Sequence, residues 1–188
     1  MKLKIICSTV REGRKGMIVT RWIESVARAH SGFQIEVVDL KEVNLPLMDE
    51  PNHPSKKEYI HEHTRRWSAQ IDEADAFIFV TAEYDYNYPA PLRNALEFLF
   101  QEWGYKAAGI VSYGGVSAGT RAANSLKNDL ASLRMVALLE AVHIPFFSNM
   151  IEGDTLKAND IMVDSANKML TELARWTSAL MPLRQPGK

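Results

Sequence analysis

The chain has 188 residues, with 22 basic and 23 acidic side chains and a formal charge of −1. Domains commonly run to about 100–200 residues, so this length favours one domain over residues 1–188. The balanced charge argues against a general nucleic-acid-binding protein, which usually carries a basic excess or face. Cys7 is the only cysteine, which excludes an intramolecular disulfide and favours a reducing compartment, the cytoplasm.

No apolar stretch suggests membrane contact. The run Ile5–Cys7 is too short for the apolar core of a secretory signal. A membrane span needs ~20 consecutive apolar residues, and the sequence has no such run. We therefore expect no membrane partner.

Five β-rich runs alternate with helical patterns. The runs are Leu3–Thr9, Gln34–Leu40, Ala76–Ala82, Ala107–Gly114 and Leu139–Pro145. The third is apolar almost throughout, which is typical of a strand covered on both faces. Alternating strands and helices favour βαβ units with a parallel sheet. Five strands fit the flavodoxin-like order 2-1-3-4-5, an α/β sandwich of three layers.

The helical patterns have recognisable starts. The first follows Gly16, and the second starts at a capping box of Ser55 and Glu58, with Ile60 on its apolar stripe. The other patterns cover residues 92–103, 122–133 and about 156–180, and the last is expected to bury Ile161 and Trp176.

Three loops are predicted to meet at one edge of this sheet, because ligands bind beyond the carboxyl ends of the strands where the strand order reverses. They cover residues 8–17, 83–88 and 112–119. The first joins a strand to a helix N-terminus, where free backbone N–H groups attract anions. It contains no P-loop or G-x-G-x-x-G motif. Its donors are Ser8, Thr9, Arg11, Arg14 and Lys15. An ordinary surface loop with solvated charges is the alternative.

The other two loops favour a flat ligand. Tyr84, Tyr86 and Tyr88 are expected to form a wall for a planar ring, the alternative being a solvent-facing cluster or a subunit contact. Gly114 and Gly115 allow backbone amides to approach the edge of a heterocycle.

Three segments carry a family resemblance. "CSTVREGRKG", "AEYDYNYPAPLRNALEFLFQEW" and "VSYGGVSAGTRA" resemble the NADPH-dependent FMN reductase family, flavodoxin-like enzymes that include quinone, azo-dye and chromate reductases. The resemblance covers about Lys2 to Phe147, and E-Y-x-Y followed by P-x-x-L-R-N-A is its most specific part. The family's usual P-E-Y-N loop is altered here at Ala82 and Asp85.

The resemblance implies FMN as cofactor and NADPH or NADH as co-substrate. It places Ser8, Arg11, Gly16 and Met17 around the FMN phosphate, in the loop that also contains Thr9 and Arg14. It places Glu83, Tyr84, Asp85 and Tyr86 on one side of the flavin ring and Ser112, Tyr113, Gly114 and Gly115 on the other. No catalytic side chain is implied, because the flavin carries the chemistry. NAD(P)H would reduce FMN, and a small-molecule oxidant would then take the electrons by a ping-pong mechanism.

The family also implies a homodimer or homotetramer. Phe98 lies off the main stripe of the third helix, so it could cover a neighbouring subunit. The alternative is packing beneath the last helix of its own chain.

Two other functional classes match parts of the sequence. Residues 115–119 match the G-x-S-x-G elbow of serine esterases, with Ser117 as nucleophile, His143 as base and Asp129 or Glu140 as acid. A non-enzymatic flavodoxin-type electron carrier would also bind flavin, but such carriers tend to be strongly acidic. His53, His61 and His63 suggest a metal site, but this is disfavoured, since His61 and His63 are two apart on a predicted helix and would point roughly 200° apart.

Overall fold

A parallel sheet of five strands forms the centre of the molecule. The computed structural model describes residues 1–30 and 32–184. The strand order is β2-β1-β3-β4-β5, which confirms the predicted order. The strands are β1 Lys2–Cys7, β2 Gln34–Asp39, β3 Ala76–Ala82, β4 Ala107–Tyr113 and β5 Val136–Ile144.

Helices cover both faces of the sheet. They are α1 Gly16–Ala29, α2 Leu40–Val43, α3 Glu62–Asp72, α4 Ala90–Glu97, α5 Thr120–Ser132 and α6 Asp160–Leu180. One apolar core lies between the sheet and α1 and α6, and a second lies between the sheet and α3, α4 and α5. Every residue of β3 and β4 is buried between these two layers, as expected for central parallel strands. Within the described ranges, no helix has the length and apolarity needed to cross a membrane.

The start of the second long helix was predicted wrongly. Ser55 lies in a single 3₁₀ turn, Pro54–Lys56, which the left-handed residue Lys57 ends. Glu58 therefore lies outside any helix, and α3 begins at Glu62. Ile60 precedes the helix and is 55% exposed, so it does not contribute to the core.

The last helix is shorter and more exposed than predicted. Residues 155–156 form β7, which pairs with β6, Ile151–Glu152, in a small hairpin. The helix then begins at Asp160, where Asn159 caps it by accepting a hydrogen bond from the Met162 N–H. Ile161 and Trp176 are exposed; only a narrow stripe of α6 faces the sheet.

Phe98 belongs to the core of its own chain. Its side chain is fully buried in the core on the α3–α5 face, and its ring is perpendicular to the His63 ring with centroids 5.7 Å apart. Packing beneath α6 is also excluded, because α6 lies on the opposite face. Phe98 therefore gives no support to subunit contact, and the homodimer or homotetramer stays a prediction.

We expect Phe98→Ala to lower the free energy of unfolding by about 3–5 kcal/mol, because the change leaves a cavity in a closed core. Urea unfolding followed by circular dichroism measures this change. Leu139→Ala is the control: Leu139 is 85% exposed, and its loss should change stability by less than about 0.5 kcal/mol. If Phe98→Ala left the urea midpoint of unfolding unchanged but caused the loss of an oligomer, Phe98 would instead lie at a subunit interface.

Candidate functional site

The three predicted loops meet around a cavity at the carboxyl edge of the sheet. The cavity has a volume of about 320 Å³, within the usual range of small-molecule sites. Six predicted site residues line it: Arg11, Glu83, Tyr84, Tyr113, Gly114 and Gly115. Its remaining wall includes Lys15 and the segment 146–149 that follows β5.

A close approach of backbone brings the start of α1 to this edge. A Cβ atom on Gly16 would lie 2.2 Å from Thr9 Oγ1 and 2.8 Å from the Tyr113 hydroxyl. Only glycine fits this position without a shift of its neighbours. Thr9 and Tyr113 are themselves buried, and burial raises the pKa of Tyr113 above its ordinary value. The N-terminus of α1 is thereby fixed against the ends of β1 and β4.

The hydroxyl group of Ser8 is an independent indication that a ligand binds beside this loop. Its Oγ is buried and, among the described residues, has no hydrogen-bond partner. A buried hydroxyl without a partner costs about 1–3 kcal/mol. Ser8 begins the loop that leads from β1 to the N-terminus of α1. Met17 lies in the first turn of that helix. A phosphate at this helix N-terminus would offer an acceptor, so the residues present fit the phosphate end of FMN.

The basic side chains of the first loop have different roles. Arg11 is exposed, and its Nε donates to the Tyr84 hydroxyl at 3.1 Å, which links the first loop to the second. Arg14 does not line the cavity; its guanidinium forms a two-point ion pair with Asp39 at the end of β2. Lys15, which is exposed, lines the cavity instead. Arg11 and Lys15 are therefore the basic side chains of the first loop that line the cavity.

The Arg14–Asp39 pair determines the ionisation of Asp39. Burial opposes the charged carboxylate, but hydrogen bonds from Arg14 and from the Lys41 backbone N–H outweigh burial. The pKa of Asp39 is consequently held below its usual range. Both side chains are mostly buried, so the pair attaches the first loop firmly to the sheet.

The loop after β3 forms a tight, strained turn. Tyr84 and Asn87 exchange two backbone hydrogen bonds of 2.8 and 2.9 Å. The central residues Asp85 and Tyr86 have φ values of 48° and 70°, the positive values of a type I′ turn. Such backbone strain costs about 1–3 kcal/mol per residue in non-glycine positions.

The predicted tyrosine wall is reduced to one residue. Tyr84 lines the cavity, whereas Asp85 and Tyr86 form the tip of the turn outside the cavity lining. Tyr86 is 68% exposed. Tyr88 turns into the core, where its hydroxyl bonds Asp129.

Ser112 does not reach the cavity. It is fully buried, with Oγ 2.8 Å from the Ala118 carbonyl and 2.6 Å from His143 Nδ1. A carbonyl only accepts, so the hydroxyl proton is directed to Ala118 and His143 Nδ1–H donates to Ser112. Burial, with a smaller contribution from Lys127, lowers the pKa of His143. Ser112 thus fixes the loop, while Gly114 and Gly115 form the wall.

The residues of the esterase alternative are engaged elsewhere. Ser117 hydrogen-bonds Glu83, His143 is occupied by Ser112, and Asp129 binds Tyr88 and Arg93. The segment 115–119 that matches G-x-S-x-G therefore forms a turn beside the cavity, and Ser117 is not arranged as a nucleophile.

We expect Ser117→Ala to leave NAD(P)H:quinone activity within a few-fold of the wild type, because flavin chemistry needs no serine nucleophile. Steady-state oxidation of NAD(P)H with a quinone measures this. Labelling of Ser117 by a fluorophosphonate, together with an esterase activity that the variant lacks, would contradict this expectation.

His61 and His63 lie together, contrary to prediction. His61 directly precedes α3, and its side chain makes no capping hydrogen bond, so the two residues do not share one helix. Their rings stack with centroids 5.2 Å apart, and His63 Nε2 lies 3.0 Å from Asp49. Across the described residues, no three His, Cys, Asp or Glu side chains form a group able to hold a metal ion.

Sequence reasoning missed the wall that follows β5. The Phe146 and Phe147 N–H groups donate to the Gly115 and Gly114 carbonyls at 3.0 and 3.2 Å. The Phe147 ring packs on Tyr113 with centroids 4.7 Å apart. The available signal was the aromatic pair directly after a strand end, which by topology lies at the same edge as the other loops.

Comparisons with known proteins show the family of this chain. The family model for NADPH-dependent FMN reductase matches residues 1–149. An NAD(P)H-dependent FMN reductase of Schizosaccharomyces pombe is 38% identical over 136 residues, covering 71% of this chain and 68% of the relative. The chain belongs to the NADPH-dependent FMN reductase family. The oxidoreductase class and the predicted FMN and NAD(P)H are confirmed at the level of this family.

Two further proteins are similar over most of the chain. An NAD(P)H:quinone oxidoreductase of Solanum tuberosum is 29% identical over 135 residues, covering 68% of this chain and 66% of that protein. The structure of the flavoenzyme NAD(P)H:(acceptor) oxidoreductase from Paracoccus denitrificans aligns with a TM-score of 0.73 at 19% identity, over 95% of this chain and 98% of that one. The predicted flavodoxin-like fold is confirmed.

We expect Asp39→Asn to lower the free energy of unfolding at pH 7 by about 1–3 kcal/mol, because Arg14 would lose its charged partner. The folded-state pKa of Asp39 lies below the unfolded value of about 3.9. The stabilisation is therefore complete above the unfolded pKa and is lost as the pH falls through the folded-state pKa.

Urea unfolding of wild type and Asp39→Asn over a pH series measures this difference. Glu24→Gln is the control, because Glu24 pairs with the exposed Arg28 on one helix and such pairs contribute about 0.3–0.5 kcal/mol. A stability difference for Asp39→Asn that persists unchanged below about pH 3 would contradict a role through ionisation of Asp39.

Proposed function

We propose that the protein is an FMN-dependent NAD(P)H oxidoreductase that passes electrons to a quinone, flavin, azo compound or similar small acceptor by a ping-pong mechanism. The observation that carries this proposal is the cavity that residues of all three loops line. When bound, FMN supplies the electron transfer, and the protein supplies binding and orientation. The family and its quinone-reducing relatives support the acceptor class.

The first loop provides the anion-binding end of the site. Arg11 and Lys15 border the cavity, and among the described residues neither forms an ion pair with a carboxylate. The N-terminus of α1 and the unpartnered Ser8 hydroxyl add donors at this end. These groups would bind a phosphate dianion through charge-assisted hydrogen bonds.

The opposite walls suit a planar ring. Gly114 and Gly115 present backbone at the cavity, and no Cβ blocks the approach of a ring edge. Tyr84 forms part of the wall facing them, and Phe146 is 54% exposed at the same site. With one cavity for both co-substrates, donor and acceptor would use it in turn, which supports a ping-pong order.

Three broader expectations belong to the same proposal. We propose one FMN-binding domain over residues 1–188, of which Ser31 and residues 185–188 lie outside the described part. We propose a homodimer or homotetramer on the family resemblance alone. We propose the cytoplasm as the location on the single buried thiol, Cys7.

Arg11→Ala tests the phosphate end. We expect it to weaken FMN binding to the apo-protein by about 1.5–3 kcal/mol more than riboflavin binding, since riboflavin lacks the phosphate. Quenching of flavin fluorescence measures both dissociation constants. Arg28→Ala, which removes an exposed arginine of α1 that pairs with Glu24, is the matched control and should change neither.

Two results would defeat the proposal. Equal losses for FMN and riboflavin would show that the first loop does not bind phosphate. Wild-type apo-protein that takes up no FMN, or that shows no NAD(P)H oxidation with any acceptor after FMN is added, would exclude the function itself.

A further inference from the structure

Arg121 joins two of the loops that wall the cavity. It lies at the start of α5, and its Nε donates to the Glu83 carboxylate at 2.5 Å. Its backbone N–H donates to the same carboxylate at 3.2 Å, and its Nη2 forms a further ion-pair contact. The side chain of Glu83 is only 7% exposed, so this carboxylate is mostly buried, and within residues 1–30 and 32–184 its cationic partner is Arg121.

The same guanidinium also holds the tip of the strained turn. Its central carbon lies 3.9 Å from the centroid of the Tyr86 ring, the geometry of a cation–π contact. Tyr86 has a φ of 70° and is 68% exposed, so core packing does not hold it there. Glu83, Tyr86 and Arg121 are called the Arg121 clasp below.

The charge of Glu83 depends on this clasp. Burial opposes the carboxylate, but hydrogen bonds from Arg121 and Ser117 outweigh burial, and the pKa of Glu83 lies below its ordinary value. Without Arg121, a buried negative charge would remain in the cavity wall, and the turn would lose the contact that offsets its strain.

We propose that Arg121 is a positioning residue that holds the 83–86 turn in its strained conformation, so that the cavity wall is preformed before a ligand binds. A preformed site saves the free energy of ordering a loop on binding. This inference rests on the proposed function, in that the ligand is taken to be FMN.

The position of the clasp distinguishes it from simple charge attraction. Glu83 and Tyr84 line the cavity, and a link from this turn to the first loop, the hydrogen bond between Arg11 and the Tyr84 hydroxyl, involves none of the three clasp residues. Loss of Arg121 should therefore weaken FMN and riboflavin by the same factor. If Arg121 acted instead through long-range attraction of the phosphate, its loss would weaken the binding of FMN alone.

The experiment measures flavin affinity of the apo-protein for four variants: Arg121→Gln, Arg121→Lys, Tyr86→Leu and the double variant Arg121→Gln/Tyr86→Leu. For Arg121→Gln we expect both flavins to bind about tenfold more weakly, equal to about 1.4 kcal/mol. The visible circular dichroism of bound FMN should change as well, because the wall beside the ring moves. Arg121→Lys should recover part of the affinity through the ion pair.

Two comparisons keep the inference falsifiable. Arg93→Gln is the matched control, because Arg93 is similarly exposed and pairs with Glu97 and Asp129 away from the cavity; it should change neither flavin affinity nor the dichroism. Tyr86→Leu keeps the ion pair and removes only the stacking, so it remains informative if Arg121→Gln fails to fold. Its loss should not add to that of Arg121→Gln, since both residues act through one contact.

The opposing results are distinct. Unchanged affinity and dichroism in Arg121→Gln, a loss confined to FMN, or strictly additive effects of the two substitutions would each overturn the positioning role while wild-type protein still binds flavin. Failure of wild-type apo-protein to bind either flavin would instead defeat the proposed function.

Discussion

The close approach at Gly16 is the contact on which the site depends. The start of α1 lies so near Thr9 and the Tyr113 hydroxyl that a single added carbon would overlap both. This approach brings the free N–H groups of the helix to the edge where β1 and β4 end. The ring wall and the anion end can share one cavity only because these two strand ends and the helix start are in contact. The fold thus creates the site through backbone proximity, and side chains refine it.

Ion pairs then determine which arginine and lysine side chains of the site remain available to a ligand. Arg14 is committed to Asp39 and Arg121 to Glu83, and in each pair the carboxylate is mostly buried. Both pairs fix a loop at the carboxyl edge. Arg11 and Lys15 have no such carboxylate partner within the described residues. The proposed ligand phosphate would therefore meet two accessible cations on the loop that the Arg14–Asp39 pair holds in place.

The sheet order could be predicted because β3 is apolar almost throughout and the strands alternate with helices, which leaves few topologies. The pairing of Arg14 could not, since three basic residues in one loop look equivalent until the end of β2 places Asp39 beside one of them. The predictions about His61 and Phe98 were wrong for a related reason. Helical spacing was extended beyond the real ends of α3 and α4, and side chains outside a helix do not follow its period.

Backbone strain is concentrated where the loops surround the cavity. Asp85, Tyr86, Ala118 and Phe146 all have positive φ at this edge, although none is glycine. Three of the four are held by contacts with other residues of this edge: Tyr86 by the Arg121 guanidinium, the Ala118 carbonyl by the Ser112 hydroxyl, and the Phe146 N–H by the Gly115 carbonyl. Such strain persists only where surrounding structure imposes it. Because contacts join the loops, we expect a substitution in one wall to disturb the next.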